Sequence, residues 1–160
     1  MKELKDGVIF EDMTVYQLKP DKYMKKSIPS EQRKVRSSMD LHSLFVKYIY
    51  DESIEIYETM YVLFMDRSNK IKGIMCVSQG GIDGTVVDTR LVCKSALDTL
   101  SSSVIMVHNH PSGNRKPSDA DKRITHKVKD ALKMFDITLL DHIIVTPDNG
   151  YFSMADEGLL

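Results

Sequence analysis

Ser103-Val104-Ile105-Met106-Val107-His108-Asn109-His110-Pro111-Ser112-Gly113, followed shortly by Pro117-Ser118-Asp119-Ala120-Asp121, is the stretch from which the rest of the chain is read. Val104 to Val107 is a short apolar, mostly β-branched run bounded by Ser on one side and by Pro and Gly on the other, the pattern of a buried strand. His108 and His110 follow at i and i+2, so the strand alternation puts both imidazoles on one face. Pro111-Ser112-Gly113-Asn114 turns the chain. Ser118, after Pro117, is a good helix N-cap, and Asp121 then falls in the first helical turn, where the helix dipole favours a carboxylate. The helix it opens carries an apolar stripe of Ile124, Val128, Ala131, Leu132 and Phe135.

A lone His is ordinarily a surface or satisfied core residue, and Ser and Asp at a helix start are ordinarily caps. Together, two imidazoles on one strand face and a carboxylate at the start of the next helix meet at one point. Two His nitrogens and a carboxylate oxygen form a common ligand set for zinc, which leaves a tetrahedral position open to water, the mark of a catalytic rather than a structural site. His108, His110 and Asp121 are therefore the candidate metal ligands. Ser118 can cap the helix, hydrogen-bond an oxyanion opposite the metal, or do both. Such a site needs a carboxylate to take up the proton of the attacking water. Glu52, Glu55 and Glu58 all precede the next strand, and their spacing leaves the choice between Glu55 and Glu58 open.

The surrounding sequence interleaves strands and helices. Leu41, Leu44, Phe45, Tyr48 and Ile49 recur at helical spacing, with Ser38 as the expected cap. Tyr61 to Asp66 and Ile71 to Ser78 read as strands joined by the Arg67-Ser68-Asn69-Lys70 turn. Gln79 to Gly84 is Gly-rich but matches no phosphate-binding pattern and reads as a loop. Asp88 or Thr89 opens a helix through about Leu100 with Leu91, Val92, Ala96 and Leu97 as its apolar residues. Leu139 to Val145 is a buried strand, and Asp148-Asn149-Gly150 turns into a last strand at Tyr151 to Ser153. The fold class is α/β with a mixed sheet flanked by helices.

The 160 residues suit one compact core, and 42% hydrophobic with 28% charged residues is the composition of a globular protein. Net charge is −1, so no whole-molecule field draws the chain to nucleic acid or membrane. No run reaches the length of a membrane span, and the N-terminus lacks a signal-peptide layout. Cys76 and Cys93 have no CxxC partner and read as reduced thiols, which points to a cytoplasmic setting. Residues 1–36 form a separate N-terminal segment: from Lys19 to Arg36, seven Lys or Arg face only Asp21 and Glu31. That basic arm is either a solvated linker or a set of DNA phosphate contacts.

H-N-H-P-S-G, then P-S-x-x-D, then Leu140-Asp141-His142-Ile143-Ile144-Val145 resembles the RadC family, within the JAB/MPN group of metalloproteins. The group's JAMM signature is an upstream Glu with H-x-H-x(7)-S-x-x-D, and the resemblance covers residues 37–160. It implies a cytidine-deaminase-like α/β fold, a zinc-dependent hydrolase core, and kinship with enzymes that cleave peptide or isopeptide bonds. It also selects the base: the family places a Glu ahead of V-L-x-x-D, and before Val62-Leu63-Phe64-Met65-Asp66 that residue is Glu58. His142 resembles the family's D-H pair, as a partner of a ligand or a hydrogen-bonded core His. His42 and His126 lie in helical patterns and carry no assigned role. The family name associates the group with DNA repair, and longer members carry a helix-hairpin-helix-like region for which no hairpin signature is found ahead of Glu58.

Two function classes follow: a zinc hydrolase of an amide-type bond, and a DNA-associated accessory protein whose metal site is structural or acts on nucleic acid. A nucleobase deaminase requires H-x-E with P-C-x-x-C, and the sequence has neither. Substrate and oligomeric state are not written in the sequence.

Overall fold

The computed structural model describes residues 2–3, 9–10, 28–50, 52–80 and 87–160. Strands β1 (Lys2–Glu3) and β2 (Ile9–Phe10) pair antiparallel as a small ribbon. After them come helix α1 (Ser38–Tyr48), strands β3 (Thr59–Met65) and β4 (Ile71–Gln79), helix α2 (Thr89–Asp98), strand β5 (Ser103–Asn109), helix α3 (Asp119–Lys133), and strands β6 (Thr138–Val145) and β7 (Tyr151–Ser153). The main sheet has five strands in the order β4-β3-β5-β6-β7. Only the β5–β6 pair is parallel, because α3 supplies the crossover between them. The expected mixed sheet flanked by helices is present.

Burial explains the layering. Strand β5 is buried along its whole length, as a central strand covered on both faces must be. Its alternate residues feed two cores. Ile105 and Val107 join Leu63, Ile143 and Val145 beneath α1, which contributes Leu41, Leu44 and Phe45. Val104 and Met106 join Val62, Phe64 and Leu139 beneath α2 and α3, which contribute Val92, Ala96, Val128 and Leu132. By the same alternation His108 faces the α3 side and Asn109 the α1 side.

Several expectations need correction. Ser37, not Ser38, caps α1: its backbone is extended and its hydroxyl accepts from the Asp40 amide, while Ser38 begins the helix and donates to Asp156 Oδ2 at 2.6 Å. Asp88 is the cap of α2. Leu91 and Leu97 are about half exposed because the sheet covers only the narrower face of Thr89, Val92, Ser95 and Ala96. Phe135 lies beyond the end of α3 and is 48% exposed. Lys19, Lys22, Lys25 and Lys26 of the basic arm, and Gly81 to Gly84 of the Gly-rich loop, fall outside the described residues. Among the described residues no helix is long and apolar enough to cross a membrane.

Candidate metal centre

The end of β5 and the start of α3 build the site. His110 lies one residue past β5 but still donates its amide to Val145 O at 3.0 Å, so the strand alternation continues through it. Both imidazoles therefore point to the same side. The chain then turns, with Gly113 at φ 76°, where a side chain would be strained. Ser118 closes a capping box: its hydroxyl accepts from the Asp121 amide, and Asp121 Oδ2 accepts from the Ser118 amide at 2.7 Å and hydroxyl at 2.6 Å. The capping box thus fixes the carboxylate at the start of α3. It also commits the single Ser118 hydroxyl proton to Asp121, so a role on an oxyanion would draw on that same proton.

His108 Nε2 and His110 Nε2 lie 2.9 Å apart, and they face Asp121 Oδ1 and Oδ2 at 3.2 and 3.5 Å. Candidate ligand atoms of His108, His110 and Asp121 all fall within 4.8 Å of one another. Their hydrogen bonds test whether a cation fits. His110 Nδ1 meets the Asn114 carbonyl at 2.6 Å, and a carbonyl can only accept, so in the neutral ring Nε2 carries the lone pair. The His108 tautomer is set through two further residues, Thr125 and His142. Thr125 Oγ1 lies 2.5 Å from the Asp121 carbonyl and must donate to it. His142 Nδ1, 2.5 Å from the same hydroxyl, then donates to Thr125, and His142 Nε2 accepts from His108 Nδ1 at 2.8 Å. His108 Nε2 is left as an acceptor. Two imidazole lone pairs and a carboxylate converge with no donor among them, an arrangement that a cation satisfies.

Electrostatics agree. Burial opposes ionisation of Asp121, but the facing His108 and His110 rings and the Ser118 hydroxyl outweigh it and hold the carboxyl well below its ordinary range. Burial likewise opposes a charge on His110, yet Asp121, the Asn114 carbonyl and Glu58 together raise its pKa. His142 is fully buried, which lowers its pKa well below the usual value and keeps it neutral.

Glu58 comes to the same place by sheet register. The β3–β5 pairing matches Met60 with His108, and two residues before Met60 the strand alternation returns Glu58 to the same face. Glu58 and Met60 line a groove of about 700 Å³ with His110, Ser118, Asp121 and Lys127. Glu55 is exposed, in a 3-10 turn over Glu52–Glu55, and is not on that groove; strand parity does not extend back to it. His42 stacks on Tyr151 away from the site, and His126 is exposed. Cys76 and Cys93 are free and partly buried. Reading from sequence missed Thr125 and the Asn114 carbonyl. Thr125 had one signal, its position one turn after Asp121 on the same helix face.

Residues 35–159 match the RadC-like JAB domain pattern. This chain belongs to the RadC-like JAB domain family. Among curated relatives, a UPF0758 protein of Flavobacterium johnsoniae is 42% identical over 127 residues, covering 79% of this chain and 54% of the relative. One from Porphyromonas gingivalis is 36% identical over 138 residues, 86% of this chain and 61% of the relative. A third, from Pelodictyon phaeoclathratiforme, is 31% identical over 160 residues, 100% of this chain and 69% of the relative. The chain thus spans little more than half the length of the first two of these relatives. As a RadC-like JAB domain, its mixed five-stranded sheet with three helices agrees with the JAB/MPN fold.

Proposed function

We propose that this RadC-like JAB domain is a zinc-dependent hydrolase of a peptide, isopeptide or related amide bond. One observation carries the reading: acceptors on His108, His110 and Asp121 converge beside a groove that His110, Asp121 and Glu58 line together. His108, His110 and Asp121 would hold the ion, and the donor set of two imidazoles and a carboxylate suits zinc. Zinc bound there would polarise a carbonyl and make water acidic enough to attack near neutral pH. Glu58 would accept the proton of the attacking water and deliver it to the departing nitrogen. Ser118 would donate its hydroxyl to the developing oxyanion. Thr125 and His142 hold the His108 ring in the orientation and tautomer a ligand needs. Free Cys76 and Cys93 support a reducing, cytoplasmic setting.

The test is metal analysis joined to a cleavage assay. Purified protein should hold about one Zn²⁺ per chain, as one three-ligand site requires, and Asp121→Ala should lose most of it. Zinc-loaded protein should cleave members of a quenched-fluorescent library of peptide and Lys-ε-isopeptide bonds. Equal zinc content in Asp121→Ala, His108→Ala and wild type would remove the site. A second reading, DNA association through the basic arm, rests on Lys34 and Arg36, which line one surface cavity with Lys47, Glu31 and Asp40.

A further inference from the structure

The middle residue of His108-Asn109-His110 has no part in the metal site, yet it is completely buried. Strand alternation turns Asn109 to the α1 side of the sheet, away from both imidazoles. There every strong hydrogen-bonding group of its amide is used, and all three partners are backbone atoms of the segment leading into β3. Asn109 Nδ2 donates to Ile54 O at 2.9 Å and to Tyr57 O at 2.9 Å. Asn109 Oδ1 accepts from the Thr59 amide at 2.8 Å. Glu58 is the residue between Tyr57 and Thr59, and its own carbonyl is tied to the Gly80 amide at 3.0 Å. Its backbone is therefore held on both flanks by one side chain of the strand that presents His108 and His110.

We propose that Asn109 is the positioning residue for Glu58: it fixes the Glu58 carboxylate at the distance from His108 and His110 that proton transfer needs. The segment before β3 opens with a 3-10 turn and, among the described residues, belongs to no strand ladder, so its placement depends on such ties. Only a planar side chain with two donors and one available acceptor, on a short stem, meets two carbonyls and an amide at once. Aspartate keeps the acceptor but sets a charge against the Ile54 and Tyr57 carbonyls, and serine reaches fewer partners. The H-N-H triplet then orients the whole site from one strand, with alternate residues for the metal and the middle one for the base.

The inference rests on the reading of Glu58 as the base, and the experiment separates the two. Co²⁺ replaces zinc in the full chain, and pseudocontact NMR shifts of the Glu58 side chain report its place relative to the metal. In Asn109→Ala and Asn109→Asp the Glu58 shift should fall while those of Thr125 and Val128 stay, with zinc affinity unchanged. Hydrolysis of a library substrate should drop about 100-fold in kcat with KM held, as a displacement of about 1 Å at a reacting group does. In the Glu58→Gln background Asn109→Ala should cost nothing further, because both changes remove one function. An unmoved Glu58 shift, or an equal loss of activity in both backgrounds, overturns the proposal. If wild type hydrolyses nothing, the hydrolase reading fails, and the Glu58 shift still decides the positioning claim. Should both variants fail to fold, the wild-type Asn109 side-chain amide protons decide: slow exchange supports the clamp, and free exchange overturns it.

Discussion

Glu58 and Glu55 differ at the level of single residues in a way that can be measured. Glu58 lines the groove beside His110 and Asp121, whereas Glu55 is exposed and off it. Glu58→Gln keeps size and loses the proton acceptor, so hydrolysis should fall by on the order of 10²–10⁴ with zinc content intact. Glu55→Gln should match wild type in the same assay, and the reverse result would move the base to Glu55. Thr125 offers a second comparison. Thr125→Val preserves shape but leaves His142 Nδ1 unpartnered and frees the His108 ring. Zinc affinity, read by chelator competition, should weaken by roughly tenfold or more, the usual scale for partners of metal-bound His, and Thr125→Ser should restore it. Equal affinity in Thr125→Val would mean that the chain through His142 does not tune the ligand.

Elements place these residues through their ends. The α3 capping box does double service, since the carboxylate that satisfies the Ser118 amide is also the proposed ligand. The turn between β6 and β7 is built the same way: Asp148 accepts from the Thr146 hydroxyl, from Arg115 at 2.5 Å and from the Gly150 amide, around Asn149 at φ 59°. These contacts, the Thr146 hydrogen bond first and then Arg115, lower the Asp148 pKa from 3.8 to about 2. A carboxyl lowered on folding stabilises the native state above its ordinary value and loses that contribution as pH falls through its folded one. Asp148→Asn should therefore be less stable than wild type near pH 6 and equal to it below about pH 2, measured by urea unfolding at each pH. A pH-independent difference would show that the turn depends on shape and not on charge.

On the scale of the whole molecule, the near-neutral net charge of −1 leaves any DNA contact to the local basic arm. If that arm binds phosphates, affinity for duplex DNA should fall steeply with salt, and neutralising Arg33, Lys34 and Arg36 should flatten the slope. An unchanged slope, or no binding at low salt, would make the arm a linker. The sequence by itself determined a good deal here. Apolar runs and turn residues marked β5, β6, α3 and the mixed α/β class, because period and capping are local properties of the chain. The meeting of His108, His110 and Asp121 was legible for the same reason: they lie on two adjoining elements whose mutual geometry a short turn restricts. The choice of Glu58 over Glu55 was not local. It rested on a family resemblance until sheet register set Met60 opposite His108 and Glu58, two residues earlier, came to line the groove, and register is a property of two strands far apart in sequence. The His142–Thr125 chain and the Asn109 clamp were likewise hidden, since each joins residues from separate elements whose partners are backbone carbonyls or amides that no residue letter records. Only the tertiary structure decides such contacts, because a buried polar group takes whichever partner the packing of the sheet brings within reach.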